Sequence, residues 1–299
     1  MKQNNHTALP AGRDIAFLSL GVLGIGSSGP VIANSLMPVP SLIFWRNLGG
    51  ALVMAPFALR KAEWKNTTQR KAIRYSMLSG VLLALHFIGF FLAMRYTSVA
   101  AGTALTAMQP IFAAIWLRSR GGDIPKQAWI GMTIAFASVL LITGVDLRIS
   151  FHSFLGDMAA LIGSALAAAY MLIGSKAQVS LSTSTYTLFC YGVCALTALP
   201  IAILSHSQVL HFVARQWWLV IALIVGAQLL GHTMFNLSLK RVSPAVVSLI
   251  VFFEVPVSAI LAYFWLGQKP PAGIIPGIIG LLIGCTVFVY RGKENIKVD

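Results

Sequence analysis

The chain has 299 residues, 57% of them hydrophobic and only 10% charged. A soluble domain carries about 25% charged residues, so a chain this apolar is solvated by lipid. Its formal charge of +14 invites a nucleic-acid partner, but Lys and Arg sit in short segments between apolar runs, a pattern that reports membrane orientation and excludes that partner.

Ten apolar runs follow in chain order: Ile15–Ser35, Ser41–Leu59, Tyr75–Met94, Val99–Leu117, Ala128–Val145, Phe154–Gly174, Tyr186–Leu204, Trp217–Leu239, Pro244–Leu266 and Ile274–Tyr290. In lipid the backbone has no water to bond, so each run is expected to be helical. The first run follows Lys2 and Arg13 as a signal peptide would, but it is long for one and reads as a retained helix. With the N-terminus inside, 17 of the 22 Lys and Arg fall on the inner side. Arg95, Arg148, Arg215 and Lys269 fall outside, and Arg46 lies within a span. That bias predicts both termini in the cytoplasm of a multi-pass protein of the cell's inner (plasma) membrane.

The chain also repeats itself. Gly80 to His86 matches Gly226 to His232, 146 residues on. Ser98 with Ser243, Gln109 with Glu254, Gly122 with Gly267 and Pro125 with Pro270 are 145 apart, and Asp14 with Asp157 is 143 apart. The shared offset and order divide the chain into halves 1–148 and 149–299 of five helices each. Five is odd, so the second half enters from the opposite side. The fold class expected is an all-α polytopic membrane protein of ten transmembrane helices, arranged as two inverted repeats.

Phe44-Trp-Arg-Asn47, the stretch Phe90 to Pro110, and Ser248 to Pro256 followed by Trp265-Leu-Gly267 together resemble the EamA branch of the drug/metabolite transporter superfamily. The resemblance covers the whole chain. It implies ten helices, cytoplasmic termini, a central cavity lined by helices 1, 3, 4, 6, 8 and 9, and export of amino acids or related metabolites. One departure stands out: Val255 separates Glu254 from Pro256, where the family has Glu next to Pro.

Glu254 is the one carboxylate deep inside a span. A charge there costs at least about 2.5–3.5 kcal/mol, so it must face a cavity or partner, or be protonated. It is a candidate site for a substrate amine or a proton, with a structural carboxyl as the alternative. Its repeat mate is Gln109, beside Pro110. His86 and His232 occupy matched positions and can relay protons or bond between helices. Arg46 can bind a substrate carboxylate bidentately, but Trp45 beside it favours snorkelling to the outer interface. In the first helix, Gly24-Ile-Gly-Ser-Ser-Gly-Pro30 is a poor continuous helix. Pro30 removes a backbone bond and kinks the chain, which offers Ser27, Ser28 and freed carbonyls to a pathway. Gly273, Gly277, Gly280 and Gly284 form small-residue surfaces, better suited to packing inside the bundle than to a dimer seam. Cys190, Cys194 and Cys285 read as small buried hydrophobes.

No phosphate-binding loop, nucleophile elbow or His-Glu-x-x-His motif is present in the sequence. The expectation is therefore a secondary transporter without ATP, metal or other cofactor, acting on a small polar solute. Its partners are membrane lipid, that solute and a proton as candidate coupling ion, in a monomer or homodimer. A receptor or scaffold, and a membrane-embedded enzyme, are the alternatives.

Overall fold

The structure, a computed structural model, describes residues 12–121, 124–143, 150–242, 244–269 and 273–290. Gly122, Ser243 and Pro270 of the repeat matches, and the charges Lys2, Arg148, Arg291, Lys293 and Lys297, lie outside the described residues. Among the described residues every regular element is helical. Seven helical segments are long and apolar enough to cross a membrane: Gly12–Asn34, Val39–Lys61, Thr67–Tyr96, Val99–Ser119, Phe151–Gln178, Thr183–Leu204 and Ala214–Ser238. Three shorter apolar helices are Lys126–Leu141, Val251–Leu266 and Ile275–Phe288. Together they overlie the apolar runs of the sequence.

In chain order the helices are α1 (Gly12–Gly26), α2 (Ser28–Asn34), α3 (Val39–Lys61), α4 (Arg70–Tyr96), α5 (Val99–Thr106), α6 (Gln109–Ser119) and α7 (Lys126–Thr143). They continue as α8 (Phe151–Gln178), α9 (Thr183–Leu204), α10 (Ala214–Ala222), α11 (Met234–Ser238), α12 (Pro244–Ile250), α13 (Glu254–Leu266) and α14 (Ile274–Tyr290). Side-chain caps begin several of them: Ser98, Ser150 and Ser182 accept from the amides of Ala101, Ser153 and Thr185, which satisfies donors the helix leaves free. Gly267, at φ 66°, ends α13 in the left-handed conformation that glycine adopts at no steric cost.

Three of the apolar runs are broken at or before a proline. Pro30 cannot donate to Gly26, and the chain turns at Ser27, whose hydroxyl bonds the Gly24 carbonyl at 2.7 Å. Pro110 and Pro256 fall in the first turns of α6 and α13, where a missing N–H costs little. The preceding turns are Ala107–Met108 and a 3₁₀ segment, Val251–Phe253. A different distortion joins α10 to α11: Leu223–Thr233 is a π-helix, in which the Thr233 hydroxyl bonds the Gln228 carbonyl at 2.9 Å.

α4 packs along α8 and α9, α3 along α9, α7 along α14, and α1 along the π segment. Helices in lipid gain little from the hydrophobic effect against one another, so close backbone approach over small residues holds them together. Gly24 faces Gly226 and Gly231, Gly89 faces Ala159 and Gly163, and Gly131 faces Gly284. The glycine face of α14 is thus spent on α7. A Cβ at Gly284 would lie 2.7 Å from both the Ala135 nitrogen and the Gly131 oxygen. Gly284→Leu is therefore expected to pry α14 from α7 and to cost roughly 3 kcal/mol, the upper range for overpacking. The check is thermal melting in detergent; a melt like the parent's would mean that this helix pair is not in contact.

Polar contacts tie both ends of the bundle. At one end Arg241 donates Nη2 and Nε to Asp14 Oδ1, at 2.6 and 2.8 Å, and Nε also to Oδ2 at 3.1 Å, and Lys240 donates to the Leu181 carbonyl at 3.0 Å. Glu63 accepts from the Ser182 amide and hydroxyl at 3.0 and 2.7 Å. Partial burial alone would raise the Glu63 carboxyl, but hydrogen bonds from Thr185 and Ser182, with Lys61 nearby, outweigh it and hold the group below the usual carboxylate range. At the other end Gln216 accepts from the Ser35 hydroxyl and the Leu36 amide, both at 2.9 Å, and Trp45 donates to the Val209 carbonyl at 2.7 Å.

Candidate solute pathway at the centre of the bundle

The broken helices and the π segment converge on a cavity lined by residues from both halves of the chain. The volume open to water centres is ≈ 40 Å³, room for about three waters at roughly 10–15 Å³ each. Six of the eight residues expected from sequence line it: Ser28 on α2, Arg46 on α3, His86 on α4, Gln109 on α6, His232 on the π segment and Glu254 on α13. Ser27 and Pro30 do not. Ser27 is turned back onto its own helix, and Pro30 is buried and acts by setting the break.

Arg46 does not snorkel. It is 1% exposed, and the two members of the Trp45–Arg46 pair go separate ways, Trp45 to the loop at Val209 and Arg46 to the cavity. Arg46 Nε donates to Gln228 Oε1 at 2.7 Å, and Gln228 Nε2 donates to Asn47 Oδ1 at 3.0 Å. The guanidinium plane lies over the Phe87 ring, 4.1 Å from its centroid. Nη1 and Nη2 are buried without a hydrogen-bond partner among the described residues. A guanidinium held by one nitrogen and one aromatic face, with its terminal fork free, has the geometry to receive a carboxylate or phosphate.

Glu254 and Gln109 occupy equivalent places, each the first residue of the helix that resumes after a break. Both are buried, at 6% and 5% exposure. The departure at Val255 leaves the break in place: a 3₁₀ turn precedes Glu254, and Pro256 still falls in the first turn of α13. Among the described residues no hydrogen bond reaches the Glu254 carboxyl, so it is free to meet what enters the cavity.

The two histidines have unequal partners. His86 Nδ1 lies 2.9 Å from the Gly163 carbonyl, which accepts only, so that nitrogen carries the proton. His232 Nδ1 lies 3.1 Å from the Tyr170 hydroxyl, which can donate or accept. The His86 ring stacks over Tyr170, and His232 meets the Phe87 ring edge-on. Sequence reasoning missed Tyr170, Gln228, Asn47, Thr106 and Phe87. The first four are neutral polar residues inside apolar runs, and that polarity at mid-span was the available signal.

A bundle of apolar helices of membrane length, closed around a small cavity that holds a guanidinium and a carboxyl, defines a membrane transporter. The EamA-like transporter family matches residues 13–144 and again residues 154–290, and the chain belongs to that family. It is a multi-pass membrane transporter rather than an enzyme. It is 24% identical over 253 residues to an uncharacterized transporter of Archaeoglobus fulgidus, covering 82% of this chain and 86% of that protein. It is 22% identical over 270 residues to the pseudopaline exporter CntI of Pseudomonas aeruginosa, with 88% and 90% covered. Against the uncharacterized transporter YxxF of Bacillus subtilis the identity is 22% over 284 residues, with 92% and 89% covered. A solved crystal structure superposes with a TM-score of 0.72 at 15% identity, covering 93% of this chain and 96% of its own, so the two share the fold.

Proposed function

We propose that the protein is a secondary exporter of small polar metabolites that carry a carboxylate and an amine, of which amino acids are the simplest. The observation that carries this reading is the buried Arg46 fork, free at both terminal nitrogens, in the same cavity as the Glu254 carboxyl. One end of a zwitterion suits each. Export as the direction is supported by the name of the pseudopaline exporter, 22% identical to this chain. Proton coupling is supported by a carboxyl and two imidazoles lining one cavity.

In this reading the chain crosses the membrane ten times, as inverted five-helix repeats, with both termini in the cytoplasm. The helix contacts support it. An inverted repeat exchanges spans one and six, two and seven, three and eight, four and nine, and five and ten. The pairs α3 with α9 and α7 with α14 are then each their own mate. The pair of α1 with the π segment becomes the pair of α8 with α4, and both are seen. The spent glycine face of α14 supports a single chain as the working unit.

The test is flux in proteoliposomes against a panel of amino acids and related metabolites, with and without a pH gradient. Uptake of zwitterionic solutes, driven by an opposing proton gradient, is the expected result. Binding of such solutes with no flux would leave a receptor, and flux restricted to solutes lacking a carboxylate would overturn the role given to Arg46.

A further inference from the structure

Asp14 begins the first span, and Asp157 is its repeat mate near the start of the sixth. Arg241 follows His232 by nine residues, and Arg95 follows His86 by nine. An acid and a base therefore recur together in both halves, on the helix pairs that an inverted repeat exchanges. In the structure they are not equivalent. Asp14 is buried and holds Arg241 through both carboxylate oxygens. The mirror groups are apart. Arg95 gives Nη2 to the Met37 carbonyl at 2.9 Å, while its Nε is buried without a partner among the described residues. Asp157 Oδ1 is likewise buried and unpaired among them, while the Thr97 side chain hydrogen-bonds the carboxyl. The segments that carry them touch: Gly156 packs against Tyr96 and Thr97, and the His152 ring lies 6.0 Å from that of Tyr96.

We infer that Asp14–Arg241 and Asp157–Arg95 are alternating gate pairs, one at each end of the pathway, and that only one forms at a time. The inference rests on the transporter reading with inverted repeats. Its physical basis is that a charge buried without its partner is costly, so each pair stabilises only the state in which its own end is shut. A contact made in one state alone is what shifts an equilibrium between two states. The distortions follow the same division. The pair that carries the formed ion pair is the broken α1 against the π segment, whereas α4 and α8 are continuous α-helices. Closing the second gate would draw Arg95 off the Met37 carbonyl and onto Asp157. Each of these four is a positioning residue: it sets which end opens without touching the solute.

The test places a reporter thiol in the cavity by Thr106→Cys in the full chain, and labels it with a membrane-impermeant maleimide from each side of sealed vesicles, with the parent as blank. Asp14→Asn and Arg241→Gln should raise labelling from the cytoplasmic side by about tenfold, the scale of one charge-assisted pair. Asp157→Asn and Arg95→Gln should do the reverse, lowering it from that side and raising it from the other. The charge-reversed doubles Asp14→Arg with Arg241→Asp, and Asp157→Arg with Arg95→Asp, should return the ratio to the parent's. Opposite shifts with the two sides exchanged would uphold the gates and overturn only the assigned orientation. Opposite shifts in a protein that moves no solute would uphold them and overturn the exporter reading. Equal shifts from both pairs, or none from Asp157→Asn and Arg95→Gln in protein that melts as the parent does, would overturn the inference.

Discussion

Arg46→Met is expected to abolish flux of carboxylate solutes while leaving the protein about as stable as before. The two halves of that expectation come from the same geometry. Desolvating a guanidinium costs several kcal/mol, and Arg46, 1% exposed, recovers it through one hydrogen bond to Gln228 and the face of Phe87. A desolvated cation–π contact is worth about 2 kcal/mol, and a hydrogen bond to a charged group about 1.5–3 kcal/mol. Methionine fills a similar volume without the charge. It removes the desolvation cost, loses both contacts and leaves Gln228 Oε1 unpaired, for a net change expected within about 2 kcal/mol. Flux has no such compensation. Two charge-assisted bonds to a carboxylate contribute roughly 3 kcal/mol to its capture, which corresponds to a loss of over 100-fold. Arg46→Lys keeps the charge but not the fork, and should retain only part of the activity. Flux per folded molecule set against the melting temperature separates the two effects. A variant that transports normally but melts far lower would make Arg46 a structural cation.

How much of this was legible in the sequence differs from element to element. The apolar runs were legible because membrane helices are written in uninterrupted hydropathy, and the described helices overlie them. The break at Ser27 was legible because Pro30 states its own reason. The equivalent breaks before Gln109 and Glu254 follow from the same chemistry at Pro110 and Pro256. The π segment was not legible. No residue within Leu223–Thr233 marks a widened turn in the sequence; the segment lies against α1, where Gly24 sits against Gly226, Leu230 and Gly231. For Arg46 the sequence offered both a solute carboxylate and the interface, and favoured the interface because Trp45 suits it. Neighbours on a helix point about 100° apart, so adjacency in sequence put them on different surfaces. The network of Gln228, Asn47 and Tyr170 was hidden for a related reason: amides and phenols acquire meaning only when the bundle sets them against Arg46 and His232.

Glu254→Gln is expected to fold normally and to lose both most of its flux and the pH dependence of what remains. The amide is nearly isosteric with the carboxyl, and the matching place in the first half already holds Gln109 at the start of α6. A helix restart of this kind therefore already carries an amide in the first half. What changes is the chemistry. A carboxyl at this depth is either neutral or paired, and switching between those forms is how a solute amine or a proton is taken up and released. Glutamine can do neither, so flux should fall by at least about tenfold, the effect of losing one charge-assisted contact. If flux falls but its pH profile persists, the proton resides on the imidazoles instead. Their partners then decide which one. Gly163 only accepts, which fixes the proton on His86 Nδ1, whereas the Tyr170 hydroxyl can follow His232 through either form. His232→Asn should therefore displace the profile more than His86→Asn, measured across about pH 5 to 8, where histidine normally titrates. Overlapping profiles for Glu254→Gln, both histidine variants and the parent would remove all three residues from the coupling step.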